Sequence, residues 1–181
     1  ISSKPLSEQS LWGAFSVEDV VSCAEELSAG IDAELFRHSF FKQPDLFLRV
    51  RRGNKEAAVK KLQDAGIEFK MPHDDCLALP NGTKIDELLQ IDKEVIVQDY
   101  NSQKVLNFLK KEKPVTTNSA VWDCCAASGG KSILAYDILD RKIDLTVSDI
   151  RESIVSNRKI RLGTGGIKNN NSLIADLPQQ Y

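Results

Sequence analysis

Residues 121–132, VWDCCAASGGKS, constrain this chain more than any other segment: an apolar run, a tight turn with two glycines, then a helix start. Val121 and Trp122 fit a buried strand, Gly129 and Gly130 let backbone pass close to a ligand, and 132–139 has the apolar spacing of a helix. The N–H groups of such a first helical turn face whatever lies on the loop. The segment reads as a nucleotide-cofactor loop.

The next acidic residue sharpens that reading. Residues 143–147 are mostly apolar and lead to Asp149, about 20 residues past the turn, the spacing at which a second parallel strand delivers a carboxylate to a ribose diol. A third such run, 172–175, ends at Asp176. Three strand-like runs, each with a glycine turn or an acid at its carboxyl end, predict the first half of a doubly wound, Rossmann-like sheet of the α/β class. An isolated Gly-Gly turn is usually a plain strand–helix connection, and a lone Asp is usually a cap or a solvated loop acid. The ordered repetition is what favours a cofactor site. One competitor has its own chemistry: Gly130-Lys131-Ser132 matches the end of a phosphate-binding P-loop, and LTVSD at 145–149 passes for its metal-binding acidic strand. Cys125, however, stands where the first glycine of that loop belongs, and a side chain there crowds the phosphates.

Cys125-Ala126-Ala127-Ser128-Gly129-Gly130-Lys131-Ser132 resembles the Cys-Ala-Ala-Pro-Gly-Gly-Lys-Thr loop of the Sun-type RNA cytosine-5 methyltransferases. VQDYNSQKV at 97–105 is similar to that family's Val-Gln-Asp-x-x-Ser-Gln lead-in, and SDIRESI at 148–154 to its second strand and following helix. Ser128 takes the place of the proline, which loosens the turn, and Ser132 stands for threonine. The resemblance runs from about Pro44 to Asp176. It implies S-adenosylmethionine as cofactor, with the backbone of Cys125, Ala126, Ala127, Ser128, Gly129, Gly130 and Lys131 cradling its methionine part. It further implies that Asp149 holds the ribose hydroxyls and that Asp176 meets the adenine amino group, since carboxylates accept from diols and exocyclic amines. The implied partner is RNA, ribosomal or transfer, and the implied setting includes rRNA processing.

Attack by cytosine C5 needs a thiolate added at C6. Enzymes of the resembled family carry that cysteine beyond the third strand, so no catalytic residue is expected before Tyr181, and Cys124 and Cys125 are expected to pack. A non-enzymatic RNA- or nucleotide-binding module is the alternative for this stretch of chain. The 181 residues, 41% hydrophobic and 28% charged, suit one ordinary domain or two small ones. There is no run of transmembrane length and no signal-peptide core, and a chain beginning without Met is expected to be trimmed or partial. Cys23, Cys76, Cys124 and Cys125 lack paired metal spacing, and His38 and His73 are isolated, so reduced thiols, a cytoplasmic setting and no metal site are expected.

A formal net charge of −2 excludes broad attraction to nucleic acid, so any RNA contact must be local. Arg49, Arg51 and Arg52, with Lys55, Lys60, Lys61 and Lys70 near in sequence, are the candidate RNA patch; a solvated face is the alternative. The expected organisation is a helical segment at 1–45, with helices near 20–27 and 33–41, then a small α/β, RNA-recognition-like domain at 46–98, then the cofactor-binding half at 99–181. Within the small domain, Leu46, Leu48 and Val50 alternate with Phe47, Arg49 and Arg51 as in a half-buried strand. Asn54 can cap a helix ending at Gly66, and strands follow near 67–70, 76–79 and 94–98. A connecting helix over 105–109 and a linker at 110–118 then lead into the cofactor fold. The aromatic base-stacking signature of RNA-recognition domains is not evident, which leaves shape and charge to carry RNA binding.

Overall fold

The computed structural model describes residues 16–21, 24–110 and 119–175. The chain forms two compact units, Ile1–Pro44 and Asp45–Tyr181. In the first, Ser16 and Asp19 form a reciprocal capping box on a short 3-10 turn, Val17–Val20, and a second such turn covers Ala24–Glu26. Helix α1, Ala33–Ser39, starts where Asp32 accepts the Leu35 N–H at 2.8 Å.

The second unit contains two sheets. Strands β1 (Leu46–Val50), β2 (Lys70–His73), β3 (Cys76–Leu79) and β4 (Val95–Val97) form an antiparallel sheet in the order β2-β3-β1-β4. Helix α2, Lys55–Asp64, packs Ala58 and Leu62 onto Leu48, Val50, Leu77, Leu79 and Val95. Asn54 occupies the cap position of α2, but its amide turns back to the Arg51 carbonyl and leaves the helix N–H groups alone. The strand expected at 67–70 is displaced toward Met71: Ile67 and Phe69 instead pack against the edge of this core, and pairing starts at Lys70.

Strands β5 (Ser119–Asp123), β6 (Ile143–Asp149) and β7 (Asn170–Ile174) form a parallel sheet in the order β5-β6-β7. Helices α4 (Gly130–Ile138) and α5 (Glu152–Thr164) cross over between them. Val121, Ile143, Leu145 and Val147 point at Ile133, Leu162 and Ile167. Trp122 sits on the opposite face and is 54% exposed, so the expectation of a buried tryptophan is corrected: period-2 alternation sends it away from the helices that bury Val121. Leu173 lies on the same side, half exposed.

Adjacent residues of β4 join the two cores. Val95 belongs to the core under α2 and Ile96 to the core under α4 and α5. A strand whose neighbours face opposite ways is therefore buried on both sides, and the two sheets are packed against a shared layer. Helix α3, Tyr100–Lys104, follows directly, and the expected 105–109 helix is a 3-10 turn, Asn107–Lys110. Most of the expected 110–118 linker lies outside the described residues. No described helix is long and apolar enough to cross a membrane.

Candidate functional site

The carboxyl ends of β5 and β6 and the amino terminus of α4 meet at the loop 124–129, the crevice where open α/β sheets bind ligands. The loop turns through two left-handed residues, Ala127 at φ +43° and Gly129 at φ +85°. Glycine is favoured at 129 on two grounds: the positive φ, and the tight 3.2 Å that a Cβ there would make with Leu162 Cδ2. At Gly130 a Cβ meets only Gln98, at 3.8 Å, so that position is not sterically demanding. Ser132, in the first turn of α4, donates its hydroxyl to Asp123 at 2.6 Å. Cys124, Cys125, Ser128 and Lys131 are exposed, whereas Ala126 is buried and donates its N–H to the Ser148 carbonyl at 2.9 Å. The Cys125 thiol is pushed up, first by the neighbouring Cys124.

Asp149 ends β6 beside this loop and is almost fully buried. One carboxylate oxygen accepts the Ala127 N–H at 2.9 Å and Arg151 Nη2 at 3.3 Å; the other accepts the Arg151 N–H at 3.1 Å and Nε at 3.0 Å. The Arg151 guanidinium, the Arg151 amide and the Ala127 amide together hold this carboxyl well below the usual carboxylate range, against the opposing effect of burial. Asp149 is thus a fixed anion that ties the second strand to the loop. Arg151 was not singled out from the sequence, although a cation two residues after a strand-end acid is within reach of it.

Two further arginines missing from the sequence reading support the loop from α5. Arg158 is fully buried, reaching the Ala127 carbonyl at 3.5 Å and Ser172 Oγ at 3.1 Å. Arg161 donates to Ser128 Oγ at 2.8 Å and to Asp92 at 2.7 Å. Their i, i+3 spacing puts both on one face of the helix, the only trace they leave in the sequence.

The lead-in at 97–105 folds against the same loop. Asp99 caps α3 through the Asn101 and Ser102 N–H groups, and buried Gln103 donates to the Gln98 carbonyl at 2.8 Å. Gln98, next to Gly130, accepts Arg49 Nε at 2.9 Å. These residues shape the wall behind the loop.

The expected RNA patch is corrected. Arg49 and Arg51 are 5% and 4% exposed and converge on Asp137 of α4, at 2.8 and 2.6 Å. Of the three, only Arg52 is exposed, in a surface pair with Asp140 at 2.6 Å. The charged side of β1 points at the second core because a carboxylate from α4 is there to receive it. Meanwhile Phe47, His73 and Tyr100 gather with ring centroids 5.5 and 5.7 Å from Tyr100, and Lys104 Nζ lies 3.5 Å from its centroid. Asp176, the third strand-end acid, lies outside the described residues, as does Cys23. Among the described residues no group of three or more His, Cys, Asp or Glu could hold a metal ion.

Solved structures with this arrangement of elements exist. PH0851 superposes with a TM-score of 0.70 at 22% identity, over 83% of this chain and 34% of that one. A methyltransferase homolog from Pyrococcus horikoshii superposes at 0.69 with 17% identity, over 88% of this chain and 56% of that one. The chain shares the Rossmann-like α/β fold of these two proteins. NSun6 from Pyrococcus horikoshii, crystallised with the S-adenosylmethionine analogue SFG, superposes at 0.59 with 10% identity, over 88% of this chain and 64% of that one. The chain spans about a third of the first of these proteins and less than two thirds of the others. No family model and no curated protein matches the sequence.

Proposed function

We propose that this chain is the cofactor-binding part of an S-adenosylmethionine-dependent RNA cytosine-5 methyltransferase. The observation that carries the reading is Asp149: a buried, ionised carboxylate at the end of the second strand, bonded to the Ala127 N–H of a glycine turn at the end of the first. That placement suits a nucleoside whose ribose hydroxyls donate to the acid while its tail lies along backbone N–H groups of 125–131. The Sun-type motifs at 97–105 and 125–132, and the likeness to NSun6 crystallised with SFG, support the choice of cofactor. When bound, S-adenosylmethionine would supply an electrophilic methyl group. The chain's own residues would bind and orient it: Gly129 by permitting the turn, Asp149 by fixing the ribose, Asp176 by accepting from adenine.

The substrate is proposed to be ribosomal or transfer RNA, and the layer at 46–98 to be its auxiliary recognition domain. Arg49 and Arg51 are buried, so the groups offered to RNA are Arg52 and His73 of that layer, with Tyr100 and Lys104 of α3 beside them. Cys124 and Cys125 open the cofactor loop, where a thiol meets the donor's tail and not cytosine C6, so residues 1–181 alone are proposed to transfer no methyl group. Calorimetry with S-adenosylhomocysteine tests the reading: Asp149→Ala removes a charged hydrogen-bond acceptor and weakens binding by roughly tenfold to a hundredfold. Unchanged affinity, or tighter binding of Mg-ATP than of S-adenosylhomocysteine, overturns it.

A further inference from the structure

We infer that Arg161, braced by Asp92, is the residue that positions the cofactor loop, doing through a side chain what a proline does through its ring. Four contacts of one guanidinium make the case. Nε donates to Asp92 Oδ1 at 2.7 Å, Nη2 to the Val97 carbonyl at 3.3 Å, and Nη1 to both the hydroxyl and the carbonyl of Ser128, at 2.8 and 3.5 Å. A planar guanidinium spreads its donors in a fixed fork, so anchoring two edges on the antiparallel layer fixes where the third edge holds Ser128. The pair is mostly shielded from water, with Arg161 and Asp92 side chains 18% and 15% exposed.

Strain marks both ends of this strut. Asp92 and Ala127, the residue before Ser128, hold φ of +65° and +43°. Non-glycine residues persist in that region when their surroundings over-determine them. At Asp92 the surroundings are the Val95 carbonyl, which accepts its N–H at 2.7 Å, and Arg51, which donates to its carbonyl at 3.0 Å. At the loop they are Asp149 on the Ala127 N–H, Arg158 on the Ala127 carbonyl, and Arg161 on the next residue. A proline at 128 would fix its own φ near −65° and need no such partner. Serine does not, and its exposed hydroxyl receives the arginine instead. Because the strut runs from the β3–β4 connection to the loop, a displacement of the small sheet is felt at the cofactor site.

The inference rests on the cofactor reading above, and the test keeps the two apart. S-adenosylhomocysteine affinity is measured by calorimetry, and amide hydrogen exchange is followed at 126–129, without ligand, in the wild type, Arg161→Ala, Asp92→Asn, and Arg161→Ala combined with Ser128→Pro. Expected are faster exchange and about tenfold weaker binding for Arg161→Ala, a smaller loss in the same direction for Asp92→Asn, and return to within about threefold of wild type in the combined variant. Unchanged exchange in Arg161→Ala, or a combined variant as weak as Arg161→Ala alone, overturns the strut. A wild type that fails to bind S-adenosylhomocysteine overturns the cofactor reading, and the exchange data still decide the strut. Should the proline variant lack a cooperative unfolding transition, Ser128→Ala, Arg161→Ala and their double variant decide: a double variant no weaker than Arg161→Ala supports the contact, additive losses refute it.

Discussion

Removing one carboxylate from the interior should unfold this chain more readily than removing any single apolar side chain at its surface. Asp137 receives Arg49 Nη1 at 2.8 Å, and Arg51 through Nη2 at 2.6 Å and Nε at 3.1 Å. The three side chains are 9%, 6% and 5% exposed in that order. Asp137→Ala strands two buried guanidiniums. Arg49 is left with Gln98 and Arg51 with the Asp92 carbonyl, and Arg49 Nη2 already has no partner. Burial pushes the Arg49 pKa down while Asp137 opposes it, so losing the carboxylate removes the main support for its charge. Breaking a buried pair from one side costs about 3–5 kcal/mol, a large share of the roughly 5–15 kcal/mol that holds a domain folded. Urea unfolding followed by circular dichroism measures the loss. Replacing all three charged residues by Leu should recover most of it, because the cost is stranded charge and not lost packing. A loss below about 1 kcal/mol for Asp137→Ala, or no recovery in the triple variant, would refute the reasoning.

Three other outcomes follow from the same geometry. Gly129→Ala should cost about 1–3 kcal/mol, from a positive φ and a Cβ 3.2 Å from Leu162, read as a lowered thermal midpoint. The Asp149 pKa is depressed in the folded chain, chiefly by Arg151. Its stabilisation is therefore complete above the ordinary carboxylate pKa of about 3.9 and drains away as pH falls toward the depressed value, so the urea-stability gap between wild type and Asp149→Asn should narrow between pH 6 and pH 3. A gap independent of pH would exclude that linkage. Arg52→Glu with Lys104→Glu should lower the log–log salt slope of RNA binding by about 2, one per phosphate contact; a filter-binding slope that does not move would remove both from the RNA face.

Local chemistry made much of this legible in advance. The 2-residue period of β1, the 3-to-4-residue spacing of Ala58 and Leu62, and the glycine turn before α4 each dictate their own element. What the local pattern could not carry is which partner meets each face. Arg49 and Arg51 alternate with apolar residues as a solvated face would, and only a carboxylate 86 positions beyond Arg51 makes them interior groups. The same holds for Trp122, whose burial depends on what covers the far side of a sheet and not on its strand propensity. Arg161 and Asp92 lie 69 positions apart and belong to different layers, so neither marks the other in the sequence. Short-range order was readable; pairing of buried charge across layers was not.

Trp122 also provides a built-in optical reporter. Its indole N–H donates to Ser148 Oγ at 3.1 Å, and that hydroxyl donates in turn to the Cys124 carbonyl at 3.2 Å, where the loop begins. Ser148 is the residue before Asp149, so the ring is coupled through one hydroxyl to both walls of the site. The chain has two tryptophans, and replacing Trp12 by Phe leaves Trp122 as the single emitter. With the residue 54% exposed, its emission maximum is expected between the buried and fully hydrated limits, free to shift either way. Entry of the proposed cofactor would then be timed by stopped-flow fluorescence on unlabelled protein.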